Sequence, residues 1–114
     1  MDFVGDEKVV LRAGTVDYPL MMVFTPCSSL LANDGEIPFG TTILGASIEV
    51  FDSTGANITL QTEAGAEVMP GGLNLLAQFS YPAFVAKGRC LVAAALTLSS
   101  GAVLVKRWDG LRME

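Results

Sequence analysis

Hydrophobic and polar positions alternate most clearly over residues 42–51, where Leu44, Ala46, Ile48 and Val50 fall on one side and Ile43, Gly45, Ser47, Glu49 and Phe51 on the other. A period of two over this length predicts a half-buried strand. Leu73, Leu75, Ala77 and Phe79 repeat the pattern over residues 73–79, between Pro70-Gly71-Gly72 and Tyr81-Pro82-Ala83. Shorter apolar runs at 8–12 and 20–25 end at Ala13-Gly14 and at Pro26, which predicts two further strands. The turn Asp52-Ser53-Thr54-Gly55 leads into a predicted strand at 56–61, with Ile58 and Leu60 set against Asn57, Thr59 and Gln61. Gly65 and Pro70-Gly71-Gly72 bracket the next connection, and residues 27–40, marked by Asn33-Asp34-Gly35, read as a long exposed loop.

The most informative stretch comes later. Apolar runs at 90–98 and 102–105 flank Ser99-Ser100-Gly101, which predicts a β-hairpin with Gly101 at positive φ. Cys90, Val92, Ala94, Leu96 and Leu98 share one face, and Leu91, Ala93, Ala95 and Thr97 form a second, small-residue surface on the other. A strand apolar on both faces is either central in a sandwich or covered by another subunit. Leu91, Ala93 and Ala95, with Trp108 as an aromatic anchor, are therefore the candidate partner interface; Trp108 also reads as a core residue. Leu and Ala leave a helical reading of 73–79 and 91–98 open, but both runs are short, lie between Gly/Pro breakers and lack an N-cap box, so strand is favoured. The expectation is all-β: one sandwich domain over residues 1–114, of about seven short antiparallel strands and roughly immunoglobulin size, with 1–7 an extended N-terminal arm.

Composition sharpens this picture. In a chain of 114 residues with 51% hydrophobic and 17% charged positions, apolar surface is left over after folding, and a homo-oligomer or multi-copy assembly would cover it. A net charge of −5 argues against nucleic acid, whose phosphates call for a basic footprint. No apolar run approaches the roughly 20 residues of a membrane helix, so no membrane partner is expected. The acidic start Met1-Asp2-Phe3-Val4-Gly5-Asp6-Glu7 does not resemble a signal peptide, which points to the cytoplasm. There, Cys27 and Cys90 are more simply reduced small hydrophobes than a disulfide, although the sequence leaves pairing open.

The chain has no histidine, hence no imidazole base, nucleophile relay or imidazole metal ligand. Ser99 and Ser100 are turn residues, and Cys27 and Cys90 lack a C-x-x-C partner for zinc. Asp34 and Glu36 are too sparse for calcium, and Glu63 and Glu67 lack the cleft and aromatics of a glycosidase. No enzyme activity, cofactor or metal is expected.

Ile43-Leu44-Gly45-Ala46-Ser47-Ile48-Glu49-Val50-Phe51, Gly71-Gly72-Leu73 and the run from Gly88-Arg89-Cys90 to Gly101-Ala102-Val103 resemble a recurrent type of small bacteriophage virion protein with an immunoglobulin-like sandwich. The resemblance spans residues 40–108. It implies a capsid cement or decoration protein that clamps capsid subunits, with the major capsid protein or other virion proteins as partners, assembled in the host cytoplasm and located in the virion. The alternatives are a fibre-tail or head-tail adaptor and, from another class, a carbohydrate- or receptor-binding module using Trp108, Tyr81, Phe84 and the 27–40 loop as its rim.

Overall fold

In the computed structural model, which describes residues 8–114, the doubly apolar run becomes the central member of a sheet. The seven strands are β1 (Val9–Leu11), β2 (Tyr18–Val23), β3 (Ile43–Phe51), β4 (Gly65–Val68), β5 (Asn74–Phe79), β6 (Gly88–Leu98) and β7 (Val103–Met113). One sheet has the order β1-β7-β6-β3, the other β2-β5-β4, and together they form an all-β sandwich. All pairings are antiparallel except β1 with β7, which is parallel and departs from the expected all-antiparallel arrangement. The expected arm at 1–7 lies outside the described residues.

Alternation places the core. Cys90, Val92, Ala94, Leu96 and Leu98 of β6 are buried against Leu75, Ala77 and Phe79 of β5 and Leu20 and Met22 of β2. Ile48 and Val50 extend this layer on β3, and Leu111 and Met113 extend it on β7. The crossover from β1 to β2 is tied to the β5–β6 connection, where Gly14 N donates to Tyr81 O at 2.8 Å and Tyr81 N to Thr15 O at 2.9 Å. Asp17 N adds a bond to Ser80 Oγ at 3.0 Å.

Three sequence expectations change. Residues 56–61 form a turn: Asn57 Oδ1 accepts from Thr59 N at 3.0 Å and Thr59 Oγ1 at 2.6 Å, and Thr62 N donates to Ile58 O at 3.0 Å. Local side-chain bonds of this kind compete with a ladder, so Ile58 is buried while Leu60 is left 89% exposed. The fourth strand is instead Gly65–Val68, inside the stretch read as a connection. β7 runs far beyond 105, because the register moves from Val92↔Trp108 to Cys90↔Leu111, an extra residue on β7 that breaks strict alternation.

That bulge also settles Trp108. The side chain points inward, is 2% exposed, and packs on Phe79 with ring centroids 6.4 Å apart at a 39° tilt. Trp108 is a core residue and not part of a partner interface. Truncating a buried Trp leaves a large cavity, so Trp108→Ala should lower unfolding free energy by about 3–5 kcal/mol. Urea denaturation checks this; a loss under about 1 kcal/mol would mean the ring carries no core packing.

The hairpin turn forms as expected: Gly101 has φ 90°, Gly101 N donates to Leu98 O at 2.9 Å and Leu98 N to Ala102 O at 2.9 Å. No atom lies within 4 Å of a Cβ built there, so the cost of a side chain is purely conformational. Gly101→Val should cost about 1 kcal/mol or more and lower the melting temperature by several degrees. An unchanged melting temperature would contradict the turn.

Candidate functional site

Two regions carry candidate residues. The first is the outward face of the β1-β7-β6-β3 sheet. Opposite the core positions of β6 stand Leu91, Ala93, Ala95 and Thr97, the first three half-buried and Thr97 exposed. Pairing arranges them in cross-strand rows: Glu49–Ala93–Arg107, Ser47–Ala95–Val105 and Gly45–Thr97–Val103. Phe51 lies beside Leu91, and exposed Leu44, Val103 and Val105 widen the apolar surface at the hairpin end. Glu49 and Arg107 thus bracket Ala93 with opposite charges, and Glu49 Oε2 accepts from Asn57 Nδ2 at 2.8 Å. At the far end Arg89 and Asp109 form an exposed pair at 3.9 Å. The structure therefore brings Leu91, Ala93 and Ala95 together on one surface and removes Trp108 from it.

The second region is a cleft of about 720 Å³ between the 25–39 loop and β7, lined among others by Leu30, Asp34, Glu36, Phe39, Leu104 and Lys106. Its carboxylates are spent on the loop itself. Glu36 Oε2 accepts from Thr25 N at 2.7 Å, and Asp34 takes Ser28 N at 2.9 Å and Ser28 Oγ at 2.7 Å. The Ser28 bonds hold the Asp34 carboxyl below the ordinary carboxylate value, so it stays charged, but as a turn-forming group. Gly35 seals the loop: a Cβ there would meet Thr25 O and Pro26 C at 2.5 Å. Residues 27–40 are thus more ordered than an exposed loop suggests, with Ile37 buried and bridged to Pro26.

The remaining candidates are dispersed. Cys27 and Cys90 are both free thiols; burial, with Asp52 adding to it, pushes the Cys90 thiol up and makes it a poor nucleophile. Ser99 caps the hairpin, its Oγ accepting from Thr42 N at 3.0 Å. Glu63 sits in a turn at φ 49° and Glu67 on exposed β4. Among the described residues no three of His, Cys, Asp and Glu gather as metal ligands. Tyr81, like Trp108, is buried, which leaves only Phe84 of the expected aromatic rim exposed.

No family model matches the chain, and no curated protein matches it by sequence. Among solved structures, the crystal structure of CopC from Methylosinus trichosporium OB3b matches with a TM-score of 0.56 and 16% identity, covering 98% of this chain and 92% of that one. At this identity the likeness shows the fold alone. CopC is not a phage structural protein, and this finding overturns the expectations of capsid cement, of a fibre-tail or head-tail adaptor and of a virion location. The patterns at 43–51, 71–73 and 88–103 are those of a β-sandwich, and such a sandwich is equally that of CopC.

Proposed function

We propose that this chain is a non-catalytic interaction module that self-associates through the outward face of the β1-β7-β6-β3 sheet. The observation that carries the reading is β6, whose outward residues Leu91, Ala93 and Ala95 remain apolar at the centre of a face that no described segment covers. Flanking Leu44 at 67% exposure and Val103 at 62% make it a surface and not an isolated residue.

Magnitudes favour a weak assembly. β3, β6 and β7, spaced about 4.8 Å apart and about ten residues long at about 3.3 Å per residue, with the three-residue β1 at the edge, make a face of roughly 500 Å². A standard stable interface buries about 800 Å² per partner. Association costs several kcal/mol and area alone does not set affinity, so a face below the standard size favours a weak, concentration-dependent contact. A catalytic reading finds little support: the chain has no histidine, and Asp34, Glu36 and Asp52 are engaged in their own turns.

Sedimentation velocity over a concentration series tests this. The wild type should self-associate, and Ala95→Glu, which places an unpaired charge at the centre of the contact, should weaken association at least about ten-fold while circular dichroism stays unchanged. A wild type that remains monomeric at the highest concentration would refute the proposal.

A further inference from the structure

The cleft between the 25–39 loop and β7 contains a lysine on the inward side of its strand. We infer that this cleft binds a small organic monocarboxylate with an apolar body, the carboxylate meeting the Lys106 ammonium and the body lying against Leu30, Ile37, Phe39 and Leu104. The inference goes beyond self-association and does not depend on it, because it uses the opposite side of β7.

Register fixes that side. Leu104 stands directly across from Leu96 and Lys106 from Ala94, both buried core positions of β6, so Leu104 and Lys106 point the same way as the buried Trp108, while Val103 and Val105 point outward. Lysine is seldom placed on the buried side of a strand unless its charge is paired. Among the described residues Lys106 makes no ion pair. It is accommodated because the second sheet has only three strands, and the 25–39 loop faces this part of β7 in place of a fourth. The space between loop and strand, about 720 Å³, falls in the range of about 300–1,000 Å³ typical of small-molecule sites.

The chemistry of the lining selects the ligand. Asp34 and Glu36 share the cleft with Lys106, but their oxygens accept bonds from Ser28 and Thr25, so the lysine is the charged group left to recognise a ligand. Both carboxylates remain negative and repel additional anionic charge, which favours a single carboxylate over a dicarboxylate or a phosphate. The body of the ligand must be apolar to match the rest. Ile37 is buried, Leu104 packs against the core, and Leu30 and Phe39 are exposed apolar side chains that such a body would cover. The loop is held in place before any ligand arrives: Glu36 N donates to Thr25 O at 2.7 Å, Cys27 N donates to Ile37 O at 2.9 Å, and Gly35 lies too close to Thr25 and Pro26 to carry a side chain. Binding therefore costs little ordering of the protein.

Amide-resolved NMR titration of the full chain tests this with octanoate as the probe. Signals of Ile37, Phe39, Leu104 and Lys106 should shift saturably. Acetate, which lacks the body, octan-1-ol, which lacks the charge, and suberate, which has a second charge, should each bind the wild type at least about ten-fold more weakly. Lys106→Met keeps the apolar stem and removes the ammonium, so it should weaken octanoate at least about ten-fold and leave octan-1-ol binding and the circular dichroism unchanged. In Ala95→Glu, whose substitution lies on the other face of the sheet, octanoate should bind as it does to the wild type, whether or not the protein self-associates. The inference is overturned if octanoate gives no saturable shifts, if its shifts fall on Ala93 and Ala95 and not on the cleft, or if octan-1-ol or suberate binds as well as octanoate. Equal octanoate affinity in Lys106→Met overturns it as well, and none of these results bears on self-association.

Discussion

The inner face of β6 holds the two sheets together, and the rest of the structure is arranged to cover it. Cys90, Val92, Ala94, Leu96 and Leu98 are each at most 1% exposed, and they meet Leu75, Ala77 and Phe79 from the opposite sheet. A central strand of eleven residues requires ladder partners on both sides, which β3 and β7 supply over nearly the full length. β7 in turn must place Trp108, Leu111 and Met113 inward, and only a bulge reconciles that spacing with a period of two. The parallel β1 then closes the sheet edge at 111–113.

Covering β6 on its inner side leaves its outer side unresolved. A strand in an ordinary antiparallel sandwich alternates apolar-in with polar-out. β3 follows that rule with Ser47 and Glu49, but β6 does not: its outward positions are Leu91, Ala93, Ala95 and Thr97. Small apolar residues forgo the solubility that Lys or Glu would give and permit close approach of another sheet. The opposite sheet also leaves Met21 and Val23 exposed on its edge strand β2, but its central strand β5 turns Asn74, Leu76 and Gln78 outward, so the apolar centre lies on the β6 side.

Much of this was legible in the sequence where a single rule governed. Residues 42–51, 73–79 and 90–98 became β3, β5 and β6 with the predicted faces inward, except at the start of β3, where a register shift buries Ile43 and leaves Leu44 67% exposed, the reverse of the predicted alternation. Legibility failed where two rules competed. At 56–61 the alternation of Ile58 and Leu60 lost to Asn57 and Thr62 bonding their own neighbours, and at 65–68 a short Gly-Ala-Glu-Val strand carried too little apolar signal to stand out. The charged residues Lys106, Arg107, Asp109 and Arg112 interrupt the apolar pattern after 105, so the second half of β7 carried no strand signal. For the site, Leu91, Ala93 and Ala95 were found from alternation, whereas Trp108 was misplaced because its facing depends on a bulge that no local pattern reveals. That Glu49 and Arg107 share a row was not legible, because they are 58 positions apart in sequence and are brought together only through β6.

Methyl-resolved NMR over a dilution series tests the central claim most directly, since it reads the location of the contact in the unmodified chain. If the outer face of β6 is the association surface, the methyl signals of Ala93, Ala95, Val103 and Val105 shift together with concentration, while those of the buried Ala77 and Val50 and of Met21 and Leu76 on the opposite sheet stay fixed. Concentration-dependent shifts confined to Met21 and Leu76, or no shifts anywhere, would contradict it.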